Sequence, residues 1–325
     1  MRTLASVLAL CLVGCASNSG NSSATPGDAS TVTRDAGSWA DSAAVDDAGA
    51  QPLPDAGAVP ESPLIAARPY TRRVPAAYDG TRAFPLILVL HGYGAAGAPQ
   101  SLYLGMNRLA DTHGILLAHP DGTTDAMGRR FWNASNACCD FYRRGIDDVA
   151  YLTAVLDDME ARFRVDPQRV FVVGHSNGGF MAHRLACAIP GRVKAIASLA
   201  GAAGMPNDYA CEPSAPVHVL QIHGTSDGTV LYGGGSFPVS GAYPSAAMTT
   251  EMWAQRWGCG AFQDDPMRLD LDTGLAGADT TVSRATGCTR AGVELWTIAN
   301  GAHIPALGSA FGDAVWAYFS RVTAR

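Results

Sequence analysis

From about residue 84 the chain alternates continuous apolar runs with segments of helical period. "FPLILVLHGYG" (84–94), "ILLAHPDG" (115–122), "RVFVVGHS" (169–176), "VKAIASLAG" (193–201), "VHVLQIHG" (217–224) and "VELWTIAN" (293–300) read as strands. They are apolar at successive positions rather than at alternate ones, so both faces of each strand must be covered. Between them lie helical segments: 102–114 stopped at Gly114, 146–165 with Val149, Leu152, Val155, Leu156 and Met159 on one side, 177–188, 246–258 and 306–322. Strands alternating with helices predict one mostly parallel central sheet with helices on both faces. In such sheets ligands bind beyond the carboxyl ends of the strands.

Those ends carry reactive residues. The pattern Gly-x-Ser-x-Gly occurs as "GHSNG" at 174–178, directly after one apolar run and directly before a helix. A nucleophile elbow needs this strand–turn–helix order. Ser176 is the candidate nucleophile. A serine needs a base, and the base needs an acid to orient it. Asp227 follows the run ending at Gly224, and His303 follows the run ending near Asn300. Asp208 is the rival acid. His223 and His91 lie at strand ends where they can brace loops. The backbone amides of Asn177 and Tyr93 are the candidate oxyanion donors. Trp132, in a long loop, and His175, beside the nucleophile, are the candidate substrate contacts. Asp147 and Asp148 open a helix as cap and first-turn acid.

The first 62 residues differ from the rest. "MRTLASVLALCLVGC" has one base, Arg2, then an apolar run too short to span a bilayer but suited to a signal peptide. "LVGC" resembles the lipobox of bacterial lipoproteins, which implies cleavage after residue 14 and a lipid on Cys15. Residues 15–62 are rich in Ala, Ser, Gly and Asp, with "DAG" at 35–37, 47–49 and 55–57. Such a stretch cannot bury enough area to offset its ordering entropy and reads as a tether. The catalytic domain is then 63–325. The expected place of the protein is the cell surface, at the outer membrane where the organism has one.

The stretch 16–62 holds seven acids against one base, while 63–325 is nearly balanced with 22 acids and 21 bases. A near-neutral domain has no electrostatic footprint for nucleic acid. Neither Cys-x-x-Cys pairs nor His-Glu-x-x-His occur, so no metal and no cofactor is expected. Six cysteines beyond the leader suggest disulfides in an exported protein. Cys259 and Cys288 are expected to pair, a bridge contributing about 3 kcal/mol. Cys138 and Cys139, being neighbours, are expected to reach Cys187 and Cys211 separately.

The segments "HGYG", "AHPDGT", "FWNASNACCDF", "GIDDVAYL", "RVFVVGHSNGGFMAHRLAC", "IHGTSDGTV" and "GAHIP" resemble, in order, those of the polyhydroxybutyrate depolymerase-like and feruloyl or acetylxylan esterase family of secreted α/β-hydrolases. The resemblance spans nearly all of 68–325. It implies the α/β-hydrolase fold and hydrolysis of carboxylic esters through an acyl-enzyme, with Ser176, Asp227 and His303 as the triad. The implied substrates are feruloyl or acetyl esters of plant polysaccharide, or hydroxybutyrate-type esters, free or polymeric. Many members place a tryptophan shortly after the histidine; here Ile304 and Pro305 stand in its place. The alternatives are a polymer-binding lipoprotein without catalysis and an acyltransferase with the same triad. The chain is expected to act as a monomer.

Overall fold

A computed structural model describes residues 62–238 and 240–323. The signal segment, Cys15 and nearly all of the tether lie outside the described residues. The chain opens with α1 (Pro63–Ala67), β1 (Thr71–Arg73), β2 (Phe84–Leu90), α2 (Gly97–Tyr103), α3 (Met106–His113) and β3 (Leu116–His119). The short strands β4 (Thr123–Thr124) and β5 (Arg130–Phe131) precede α4 (Asp148–Arg162), β6 (Val165–His175), α5 (Asn177–Ala188), β7 (Ala195–Leu199) and β8 (His218–Gly224). A second short pair, β9 (Gly235–Ser236) and β10 (Ala242–Tyr243), leads to α6 (Ala246–Arg256). The last elements are β11 (Phe262–Asp264), β12 (Thr280–Ala285), β13 (Val293–Ile298) and α7 (Ser309–Thr323).

Nine strands form the main sheet in the order β1-β3-β2-β6-β7-β8-β13-β12-β11. The six from β3 to β13 run parallel, and the edges β1, β12 and β11 are antiparallel. This is an α/β-hydrolase fold, as the resemblance implies, built on the mostly parallel sheet that the alternating pattern predicts. The central strands are buried on both faces, and successive residues divide between two cores. Leu86, Leu88 and Leu90 of β2 and Val170 and Val172 of β6 face the core that also holds α4, α5 and α6. Ile87 and Val89, with Phe171 and Val173, face the core shared with α3 and α7. There Phe171 stacks on Phe319 with ring centroids 4.4 Å apart.

The register brings the strand ends level. His175 pairs with Leu199, Leu199 with Ile222, and Gly224 with Ile298. The residues that follow β6, β8 and β13 therefore emerge along one edge.

Two elements differ from the sequence reading. The helix expected over 102–114 is broken into α2 and α3 by Gly105, which holds a left-handed φ of 71°. The segment between Cys259 and Cys288, read as loop-rich, contains the hairpin β11–β12. Its polar residues suit an edge with one wet face, which the apolar pattern cannot reveal.

That hairpin brings its two ends together, and Cys259 pairs with Cys288 as expected. The other pairing is a correction: Cys138 bonds to Cys139, and Cys187 to Cys211. The reason is distance along α5. Cys138 Sγ lies 3.5 Å from Asn177 Nδ2 at the start of that helix. Cys187 lies ten residues on, about 15 Å at the α-helical rise. A disulfide spans less than about 7 Å between Cα atoms.

Candidate active site

β6 ends at His175 and α5 starts at Asn177, so Ser176 alone makes the turn. Its φ of 55° and ψ of −120° lie where L-residues seldom rest. Backbone contacts impose this shape. Ser176 N–H donates to Leu199 O at 2.8 Å, and Phe180 N–H donates to Ser176 O at 3.0 Å. The two glycines of the motif have a direct steric cause. A Cβ on Gly174 would lie 2.2 Å from Gly178 O, and one on Gly178 would lie 2.2 Å from Leu90 O. The elbow is thus pressed between its own helix and β2, and no side chain fits at either glycine.

His303 Nε2 lies 3.0 Å from Ser176 Oγ, and His303 Nδ1 lies 2.8 Å from Asp227 Oδ2. These three, carried by the segments after β6, β8 and β13, form one hydrogen-bonded line. Asp227 Oδ1 accepts from the amides of Thr229 and Val230 at 2.8 and 2.9 Å. Its side chain is fully buried. Burial alone would raise this carboxyl; hydrogen bonds from His223, His303 and the Thr229 amide outweigh it and hold the group well below the usual carboxylate range. An ionised acid behind an imidazole whose other nitrogen meets a hydroxyl can move that hydroxyl's proton. The rival acid, Asp208, instead accepts from the Met205 amide in its own turn.

Tyr93 and Asn177 supply amides that no acceptor takes among the described residues. The Gly92 amide donates to Gln100 Oε1 at 3.1 Å. A Cβ on Gly92 would lie 3.3 Å from Ser176 Cβ, which places this loop directly against the elbow. His91 Nε2 accepts from the Gly122 amide and its Nδ1 donates to Gly92 O. Burial pushes His91 down to about 4, so the ring is neutral, as that pairing requires.

The candidate substrate contacts are corrected. Trp132 is 0% exposed; its indole N–H donates to His91 O at 3.0 Å and its ring packs against His91. Bonds to the elbow draw it inward: Asn177 Oδ1 accepts from Trp132 N–H at 2.7 Å, and Asn177 Nδ2 donates to Trp132 O at 2.9 Å. His175 is also buried. Its Nε2 meets His303 O at 2.9 Å, so it carries the histidine loop rather than facing solvent. Burial and the neighbouring His303 bring it down to about 4. Asp147 caps α4 by accepting from the Ala150 amide. Asp148 pairs with Arg68 and accepts from the Asn133 amide at 2.7 Å, which fastens the Trp132 loop from its other side.

The aromatic groups that do reach the surface here are others. The Tyr93 ring lies edge-on to Phe141 at 5.4 Å, and Phe141 to Phe237 at 6.0 Å; all three are half-buried. The Tyr93 ring is held, since its hydroxyl donates to Asp125 Oδ2 and Arg129 lies 4.9 Å over its face. Beside Phe141 opens a polar cleft of about 470 Å³ lined by Asn133, Ser135, Asn136, Asp140, Arg143 and Ser240, among others. Phe141 lies two residues after the cysteine pair, but nothing in the apolar pattern separates it from a core residue.

Residues 77–237 match the family described as phospholipase/carboxylesterase. The chain is 31% identical over 249 residues to the putative esterase NocK of Nocardia uniformis subsp. tsuyamanensis, covering 73% of this chain and 70% of that protein. It is 27% identical over 193 residues to feruloyl esterase B of Piromyces equi, covering 58% of this chain but only 35% of the relative. Among solved structures, the acetyl xylan esterase from Aspergillus awamori has the same fold, with a TM-score of 0.56 at 14% identity over 84% of this chain and 99% of that one.

Proposed function

Because the chain belongs to the phospholipase/carboxylesterase family and is a carboxylic-ester hydrolase, we propose that Ser176, His303 and Asp227 carry out the hydrolysis. The unbroken line from Asp227 through His303 to Ser176, ending beside two unclaimed amides, supports this reading most. Ser176 Oγ attacks the ester carbonyl carbon while His303 Nε2 takes its proton. The amides of Tyr93 and Asn177 bond the oxyanion of the tetrahedral intermediate. The intermediate collapses, the ester C–O bond breaks, and His303 returns the proton to the departing alcohol. Water then attacks the acyl-enzyme, giving one proton to His303, which passes it to Ser176 as the acid leaves. Asp227 stays ionised throughout and holds the imidazole.

The substrates are esters of aromatic or short acyl groups on hydroxyl-rich alcohols. Tyr93, Phe141 and Phe237 offer half-buried rings beside the oxyanion amide, suited to a phenolic acyl group of the feruloyl kind. The names of the relatives are consistent with this class. Acetyl and hydroxybutyrate esters fit the same chemistry, and a polymer end can reach an exposed site. Cys15 carries a lipid and residues 15–62 tether the domain to the cell surface. The "LVGC" segment and the acidic, alanine-rich stretch after it support that reading.

Ser176→Ala tests the mechanism. We expect kcat on p-nitrophenyl butyrate to fall by about 10⁴-fold or more with the melting temperature unchanged. Near-parental turnover by this variant excludes Ser176 as nucleophile.

A further inference from the structure

Ester hydrolysis as written leaves several buried polar side chains unused, and they form one chain. Trp253 Nε1 of α6 donates to His183 Nδ1 of α5 at 3.0 Å. His183 Nε2 meets Gln221 Oε1 of β8 at 2.9 Å. Gln221 Nε2 donates to Gly201 O at 2.8 Å and lies 3.2 Å from His223 Nδ1. His223 Nε2 meets Val230 O at 2.7 Å and lies 3.2 Å from Asp227 Oδ2, the oxygen that His303 also uses. His183, Gln221 and His223 are 0%, 0% and 1% exposed. Water is therefore no substitute for any link.

The direction of every bond follows from groups that have no choice. An indole N–H only donates, so His183 Nδ1 accepts and its proton sits on Nε2. That proton goes to the Gln221 carbonyl oxygen. A peptide carbonyl only accepts, so the Gln221 amide nitrogen is the atom facing Gly201 O, and its second hydrogen points to His223 Nδ1. His223 must then carry its proton on Nε2, which is what Val230 O and the Asp227 carboxylate require. Three fixed groups, one at each end and one in the middle, agree on a single polarity. Burial holds His183 down to about 4, so the link it forms stays neutral.

We propose that His223 is a positioning residue for ester hydrolysis, locked in its Nε2–H form by Trp253, His183 and Gln221, and that it holds the Asp227 oxygen against which His303 is aligned. The proposal rests on the roles given above to Asp227 and His303. Asp227 then has a full set of donors: two amides on Oδ1 and two imidazoles on Oδ2. The second imidazole is strand-borne and immobile, whereas His303 sits on a loop and moves a proton in each cycle. Removing the fixed donor frees Oδ2 while the imidazole still depends on it.

Four variants of the full chain test this on p-nitrophenyl butyrate, with thermal melting as the folding control. His223→Leu removes the donor. His223→Gln returns an amide N–H near the place of ring Nε2. Gln221→Met leaves His223 Nδ1 empty. Gln221→Glu, when ionised, offers only acceptors, so it pulls the His223 proton to Nδ1 and turns the Nε2 lone pair on Val230 O and Asp227. We expect kcat to fall roughly tenfold to a hundredfold in His223→Leu with KM within about twofold, as for a lost hydrogen bond to a charged group. His223→Gln should recover most of it, and Gln221→Glu should fall below Gln221→Met. Equal kcat in His223→Leu and His223→Gln, or Gln221→Glu matching Gln221→Met, overturns the proposal. Long-range ¹H–¹⁵N imidazole spectra of the full chain give a readout free of turnover. Both His183 and His223 should show Nε2–H, and an Nδ1–H or charged His223 overturns the lock. Loss of activity in Ser176→Ala bears on the triad alone, so the two readings fail separately.

Discussion

The elbow at Ser176 and the loop from Trp132 to Gly145 meet at Asn177, yet they are held by opposite means. Backbone pressed on backbone shapes the elbow: Gly174 on Gly178, Gly178 on β2, Ser176 N–H on β7. The loop makes turn bonds within itself and takes one backbone bond from Gly241, but single side chains supply most of its ties to the rest of the molecule. Asn177 grips Trp132, Asp148 takes the Asn133 amide, Asn133 reaches Ile146 O, and Asp140 takes the Gly145 amide. Ser240 and the Cys138–Cys139 bond add two more ties. The proposed nucleophile thus sits on a part of the molecule with no room for extra atoms. The aromatic and polar surface beside it hangs on bonds that one substitution can cut.

Acid should separate the two most strongly. His91, His175 and His183 are buried around the elbow and brought down to about 4, while residues 132–145 contain no histidine. Below an ordinary histidine pKa near 6.5 the unfolded chain takes up protons that the folded chain refuses. Stability is therefore fully present above about 6.5 and is lost as pH falls towards 4, by about 1.4 kcal/mol per pH unit for each such histidine. Urea midpoints at pH 7 and pH 5 measure it; equal midpoints mean that these rings are not held neutral by the fold.

Gly178→Ala comes next. A Cβ placed 2.2 Å from Leu90 O forces β2 and the elbow apart, and we expect a loss of about 3 kcal/mol, read from denaturant unfolding. An alanine variant as stable as the parent breaks the claim that the elbow is shaped by close backbone contact. Asn177→Ala should cost about 2 kcal/mol by leaving the buried N–H of Trp132 without a partner. Its main-chain amide remains, so kcat should fall only as far as the loop shifts; hydrogen exchange at Trp132 and Asn133 shows whether the loop has loosened. Phe141→Ala should have the smallest effect. We expect up to about a tenfold drop in kcat/KM for methyl ferulate with little change for p-nitrophenyl acetate, since one ring contact adds about 1 kcal/mol. Equal losses on both esters place Phe141 outside substrate recognition.

The same division explains what could be read from the sequence. Strand-to-loop transitions stand out in apolar periodicity, so the parallel sheet and the strand-end positions of Ser176, Asp227 and His303 are legible in the sequence. Side-chain ties between distant segments have no such pattern. Trp132 looked like a loop aromatic free to meet substrate because nothing local shows that Asn177, 45 residues on, draws it into the core. The cysteine pairing failed for a related reason: spacing says nothing about which end of α5 each cysteine lies beside. Gln221 and His223 alternate along β8 as any i, i+2 pair does, and only α5 and α6 packed over the sheet join them to His183 and Trp253.

Asn177 has a practical consequence for redesign. Its side chain reads the backbone of Trp132 as a neighbouring strand would, while its own amide is the one we propose as an oxyanion donor. A loop grafted between Phe131 and Asp140 to change the accepted acyl group must therefore present one N–H and one C=O to that side chain. A graft chosen only for the shape of its pocket would be paid for in turnover.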